Sequence, residues 1–241
     1  VAKRKYTRKQ LRQPDEFISF SMKAWGVVRD NAVRVIVMLV VAALIVAGVW
    51  TWTYFSDARA AKATGVLSKA FEIYNQTVVP MEALPPSEDG IPRFKTHKAK
   101  LEAAEKEFTQ AVERSSGTLK GLALLMRAGV RYELGRYDKA LEDYNQYLGH
   151  SGNKAFRFNA QEGVGYCHEA RKEWDKALAA FRKLGGEGEQ KWVAVYHEGR
   201  VLGRKGQKKE AADLLRQVIS KAASKALQER AGDQLAQIVA K

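Results

Sequence analysis

The chain has 241 residues, a single cysteine, and 41 Lys plus Arg against 27 Asp plus Glu, a formal net charge of +14. A lone thiol excludes an intrachain disulfide, so stability has to come from packing, and a chain of this length can bury a sizeable core. In a cytosolic protein the basic balance would point to nucleic acid, but one stretch of sequence decides where that charge sits.

That stretch is Val35 to Phe55, twenty-one consecutive residues without a charge. At about 1.5 Å per residue a helix of this length spans roughly 32 Å, close to the hydrocarbon thickness of a bilayer, so residues 35–55 read as a single transmembrane helix. A core helix of a soluble protein is one alternative, although such helices usually alternate with polar positions. A cleaved signal is the other, because Ala58-Arg59-Ala60 has the small-x-small form of a cleavage site. The run is longer than a signal h-region and some thirty residues precede it, so an uncleaved anchor is expected. Trp50, Trp52 and Tyr54 near its end suit the headgroup level as membrane anchors.

Residues 1–34 carry nine Lys or Arg against three Asp or Glu, whereas only Arg59 and Lys62, offset by Asp57, follow the span closely. The positive-inside bias therefore leaves the N-terminus in the cytoplasm and the large C-terminal part across the membrane. Residues beyond 34 hold a net +8, and a basic domain placed there meets lipid headgroups, wall polymers or acidic protein segments rather than nucleic acid. Residues 1–14 form a basic cytoplasmic tail explained by topology and attraction to anionic lipid, with nucleic-acid binding as the alternative. No cysteine near the N-terminus suits a lipoprotein anchor.

Residues 15–34 place Ile18, Met22, Trp25, Val28 and Ala32 on one helical face, which suits an amphipathic juxtamembrane helix; inward continuation of the span is the alternative. After the span, Ser56 to Val79 stays helical, with Ala60, Ala63, Leu67, Ala70, Phe71 and Tyr74 as its apolar stripe. Pro80, Pro85, Pro86 and Pro92 then mark residues 80–94 as a loop, read as a plain surface insertion in preference to a binding loop.

From Phe94 onward the sequence repeats. GRYDKALEDYNQYL, KEWDKALAAFRKL and GQKKEAADLLRQV share one frame, with Ala140, Ala177 and Ala211 spaced by 37 and 34 residues. Four residues later stand Tyr144, Phe181 and Leu215; twelve residues earlier stand Ala128, Gly165 and Gly199. LEAAEKEFTQAV is a weaker copy, with Ala104, Phe108 and Ala111. Small residues let one helix admit the large side chains of its neighbour, and stacked units then share a continuous core. Residues 225–240 put Leu227, Ala231, Leu235 and Ile238 on one face and polar residues on the other, as a capping helix requires.

No catalytic constellation is present: no H-E-x-x-H, no G-x-S-x-G, no Walker loop and no paired cysteines. His97, His150, His168 and His197 are scattered, Cys167 reads as a small buried hydrophobe, and the glycine-rich run Leu184 to Glu189 reads as a turn between repeats. The chain is expected to be no enzyme and to need no cofactor, metal or small-molecule substrate.

The spacing and the small-large pattern resemble the tetratricopeptide repeat, which implies an all-α fold: a membrane helix followed by an α-solenoid of helical hairpins over residues 56–241. The terminal repeat proline is missing from each copy, and the loop before the second full copy is three residues longer. In such arrays the first helix of each unit lines the concave face. That register implies a peptide or partner groove formed by Tyr132, Glu162, Tyr166, Glu169, Tyr196, Arg200 and Arg204, with burial of several tyrosines in the core as the alternative.

The whole layout, with its QPDEF segment, one span and LGGEGEQKWVAVYHEGRVLGRKGQKKEAADLLRQV, resembles the YfgM-type ancillary subunit of the bacterial SecYEG translocon. The resemblance implies a bacterial inner-membrane protein whose periplasmic domain works with translocon subunits, periplasmic chaperones and exported clients. The alternatives are a scaffold in a cell-division, cell-wall synthesis or secretion complex, and a domain that binds anionic polymers through its +8 charge.

Overall fold

The computed structural model describes residues 28–78, 93–149 and 156–240, together with Phe20, Met22 and Trp25. The basic tail, half of the juxtamembrane segment and the four prolines of the 80–94 loop lie outside the described residues. Among the described residues the main elements are helices: α1 (Ala32–Asn75), α2 (His97–Arg114), α3 (Gly117–Glu133), α4 (Tyr137–Gly149), α5 (Arg157–Ala170), α6 (Trp174–Arg182), α7 (Glu189–Lys205), α8 (Lys208–Lys221) and α9 (Lys225–Val239). The described residues form no strand beyond an isolated bridge between Val78 and Phe94.

The chain divides into two units, residues 1–58 and 59–241. In the first, α1 is long and apolar enough to cross a membrane, and its large side chains from Ile36 through Phe55 are exposed. The Thr51 and Thr53 hydroxyls donate to the carbonyls of Ala47 (2.7 Å) and Trp50 (2.9 Å), so neither adds an unsatisfied donor to the apolar run. Trp50 stacks on Tyr54, ring centroids 6.0 Å apart.

The second unit begins with the last turns of α1. Ala63, Leu67, Ala70 and Ile73 are buried, and Phe71 meets Phe108 of α2 edge-on at 5.5 Å. Ala60, placed on the apolar stripe by its spacing, is exposed. The helix ends at Asn75 rather than Val79, because the Gln76 N–H turns back to the Ile73 carbonyl (3.2 Å) and Val78 pairs with Phe94. Thr96 starts α2, its hydroxyl accepting from the Ala99 N–H at 3.1 Å.

From α3 onward consecutive helices pack as hairpins: α3 with α4, α5 with α6, α7 with α8; α9 closes the series against α8 and α7. The turn inside each hairpin is the same Schellman stop. Gly135, Lys172 and Gly206 have φ of 73°, 60° and 94°, each five residues before its repeat alanine. Their N–H groups bond three residues back and the following N–H groups bond five back, to Arg131, His168 and Leu202. Lys172 adopts there a backbone conformation that glycine adopts more readily.

The small-large frame has its expected physical cause. A Cβ on Gly165 would lie 2.3 Å from the Phe181 ring, and one on Gly199 would lie 3.0 Å from Leu215 Cγ. Gly163 admits Tyr144 of the preceding hairpin with the same closeness, so the glycines serve packing between repeats as well as within them. Cys167 is fully buried, and burial pushes its thiol up to about 12.

An ionic cluster ties α2, α3 and α4 together. Asp143, 1% exposed, accepts a bidentate pair from Arg127 (2.9 and 2.7 Å) and a further bond from Arg131 Nη1 (2.8 Å). Arg131 Nε donates to Glu105 at 2.9 Å, and Arg136 pairs with the other Glu105 oxygen. Two arginines on one carboxylate offset its loss of hydration, and each carboxylate oxygen finds a donor.

Candidate partner-binding site

The residues assigned to the groove come from the first helices of successive hairpins, and their helical spacing brings them together. On α5, Glu162, Tyr166 and Glu169 lie on one face at spacings of four and three; on α7, Tyr196, Arg200 and Arg204 repeat every four. Arg200 is the centre. Its guanidinium lies 5.1 Å from the Tyr166 ring centroid, 5.7 Å from Tyr196 and 5.9 Å from Phe181, and it pairs with Glu169. Three aromatic faces and a carboxylate suit a delocalised cation far better than an ammonium. Burial opposes the charge on Arg200, but Glu169, Tyr166 and Tyr196 together outweigh it and hold the guanidinium above its ordinary value.

Arg204 reaches the same carboxylate, Nη1 to Glu169 Oε1 at 2.8 Å, from a side chain that is 54% exposed. Tyr132 stands at the edge of the cluster, its ring 6.3 Å from that of Tyr166 and 5.4 Å from that of Tyr137. Tyr196, at 8% exposed, is a core residue and presents almost no surface. The remaining accessible surface lies with Tyr132, Glu162, Tyr166, Arg200 and Arg204.

Sequence reasoning missed His197, which stands 3% exposed in the middle of this group. It stacks on Phe181 at 4.6 Å, and its Nε2 lies 2.7 Å from Glu162 Oε1. A carboxylate only accepts, so Nε2 carries the proton. Tyr166 donates to the same oxygen at 3.2 Å. Burial disfavours the Glu162 carboxylate, but His197, Tyr166 and Arg200 together hold its pKa below the ordinary carboxylate value. Burial, reinforced by Glu162, pushes Tyr166 up to about 12, and burial likewise raises Tyr132. No signal in the sequence marked His197: it lies two residues before Gly199 whereas Glu162 lies three before Gly165, so the repeat register does not pair them, and only the placing of α7 beside α5 brings them together.

Three buried polar atoms of the cluster accept or donate no hydrogen bond among the described residues: His197 Nδ1, Arg200 Nε and Glu169 Oε1. The last of these meets Arg204 as an ion pair only, close in distance but not aligned as a hydrogen bond. The described residues hold no group of three metal-ligating side chains. His168, far from this seam in bonding terms, pairs with Glu173 at 2.7 Å. The Gly185, Gly186 and Gly188 turn expected between repeats is present, with φ of 54°, 111° and 58°.

A helical array of this kind defines a tetratricopeptide-like repeat protein. Residues 122–150, spanning most of α3 and all of α4, match the tetratricopeptide repeat family model. Among solved structures, the chain is similar to the nearly identical TPR-like repeats of a Podosopora anserina kinesin light chain candidate. A singly substituted form of that protein matches at TM-score 0.50 and 16% identity, covering 59% of this chain and 78% of that one. The unsubstituted form matches at TM-score 0.49 and 16% identity over 59% and 79%. MamA matches at TM-score 0.44 and 15% identity over 59% and 89%. No curated protein matches the chain. The first of these likenesses shows the repeat fold alone, and no catalytic family is indicated. Arrays of this fold are typically non-enzymatic scaffolds for protein-protein interaction.

Proposed function

We propose that this chain is a non-enzymatic membrane-anchored adaptor. Its single span sits beside membrane partners, and its repeat domain, on the far side of a bacterial inner membrane, binds proteins. One observation carries the proposal: α1 presents an uncharged run of exposed large side chains from Ile36 to Phe55, and a tetratricopeptide-like array follows in the same chain. Exposed apolar surface of that extent is stable only when something apolar covers it, and lipid does so around the whole circumference of a helix. The basic residues before the span support a cytoplasmic N-terminus. The resemblance to the YfgM-type subunit supports the translocon and its periplasmic chaperones as the membrane and soluble partners.

In-cell photo-crosslinking from Trp52 in the span and Tyr166 in the cluster tests this reading. Adducts to translocon subunits from Trp52, and to exported or chaperone-bound proteins from Tyr166, are expected. Adducts confined to cell-division, wall-synthesis or secretion-machine components would replace the translocon assignment with a scaffold in that assembly, and lipid or polymer adducts alone would overturn the adaptor.

A further inference from the structure

The adaptor reading leaves open what chemistry a partner must present, and a cleft at the C-terminal end of the array narrows it. The cleft encloses about 430 Å³ between α7 and α9. Arg200 and Arg204 of α7 and Lys208 at the start of α8 line it, with Trp174 at the start of α6 and Gln234 and Gln237 on α9. It exists because Gly203 lets α9 come close: a Cβ there would lie 2.6 Å from Ile238 Cδ1, and Ile238 forms part of the wall.

We propose that this cleft receives an extended acidic peptide segment of a protein partner, with a carboxylate seated between Arg204 and Lys208. The inference rests on the adaptor reading and supplies the ligand's chemistry. Three cations line the cleft and none of its lining residues is acidic. Arg200 and Arg204 share the carboxylate of Glu169, whose side chain is 4% exposed. One buried negative charge thus faces two arginines, while Lys208 has no ion-pair partner among the described residues, so the cleft carries an excess of positive charge. Arg204 is half exposed, its ion pair with Glu169 is not aligned as a hydrogen bond, and its planar fork can grip a ligand carboxylate in two places. The rest of the lining selects a peptide over a lipid surface. Gln234 Nε2 donates to Gln237 Oε1 at 3.5 Å, which leaves the Gln234 carbonyl and the Gln237 amide N–H groups to pair with backbone N–H and C=O groups, and the Trp174 indole gives a flat apolar platform for an intervening side chain. A recess of this shape also excludes a flat array of headgroups.

The test uses the full-length protein in detergent micelles and two fluorescein-labelled peptides, one alternating Glu and Ala and a copy with Gln for every Glu. Fluorescence anisotropy measures affinity, and vesicles of phosphatidylglycerol serve as competitor. The glutamate peptide should bind roughly tenfold or more tightly than its glutamine copy. The double variant Arg204→Gln, Lys208→Gln should lose that margin while its circular dichroism melt stays unchanged, and Lys139→Gln on α4 should bind as the unaltered protein does. Equal affinity for the two peptides, absence of binding by both, full binding by the double variant, or displacement of the peptide by vesicles would each overturn the proposal. Peptides that bind alike while Tyr166 still yields protein adducts would defeat this inference alone; loss of protein adducts would defeat the adaptor reading as well.

Discussion

Two ionic clusters lie in the two halves of the repeat array, and they are finished differently. In the N-terminal one, Arg127, Arg131 and Arg136 meet Asp143 and Glu105, and no buried polar atom of the set lacks a partner among the described residues. In the C-terminal one, Glu162, Glu169, His197 and Arg200 are buried or half-buried, yet His197 Nδ1, Arg200 Nε and Glu169 Oε1 are left without a hydrogen bond. A closed network fixes the packing of the helices that contribute to it. The less fully paired, open one lies at the seam of two first helices and is bordered by a cationic cleft.

The largest effect should come from breaking the closed cluster. Asp143→Ala leaves Arg127 and Arg131 buried with their shared carboxylate gone, and should destabilise the domain by about 3–5 kcal/mol in urea denaturation followed by circular dichroism. Glu162→Gln in the open cluster should cost less, about 1–3 kcal/mol, since one charge-assisted hydrogen bond to His197 and one to Tyr166 are weakened. That cost should depend on pH in a definite sense. The folded pKa of Glu162 lies below its ordinary 4.5, so its contribution is complete above 4.5 and disappears as pH falls through the lower folded value. The difference in urea midpoint between wild type and Glu162→Gln should therefore shrink on acidification below 4.5 and stay constant above it.

Lys172→Gly sharpens the contrast from outside both clusters. It relieves a left-handed residue at a turn where the equivalent positions are Gly135 and Gly206, and should raise stability by about 0.5–1 kcal/mol. The smallest effect on stability belongs to Arg204→Gln, within about 0.5 kcal/mol, because its side chain is half exposed. A loss of partner binding without a loss of stability is the signature that separates the open cluster from the closed one.

The fold was legible because its signal is periodic. Ala140, Ala177 and Ala211, with their large partners four residues on and small partners twelve before, report a packing constraint that recurs in every hairpin, and Gly165 against Phe181 is that constraint realised. The closing helix was legible for the same reason, with Leu227 and Ala231 buried. Grouping of Glu162, Tyr166, Glu169, Arg200 and Arg204 was legible too, since spacings of three and four fix a helix face. What the pattern could not give was pairing across helices. Asp143 joins Arg127 and Arg131 across the α3–α4 hairpin, and Glu105 joins from α2; nothing in a single sequence distinguishes these charges from solvated ones. His197 escaped because a histidine beside a tyrosine has no preferred face until the neighbouring hairpin is placed. Burial of Tyr196 follows from its packing in one core with Leu215 and Val218 of α8 and Leu227 and Ala231 of α9, which sequence spacing does not encode.

The measurement that bears most directly on the account is site-specific photo-crosslinking in intact cells from Arg204, at the open cluster, beside the same measurement from Lys139 on α4 of the closed one. Both positions are exposed, so accessibility alone does not favour either. Protein adducts from position 204 and few from position 139 are expected if the open cluster is where partners bind. Equal yields from the two positions, or adducts from position 139 only, would contradict the central claim that the C-terminal half of the array is the partner-binding half.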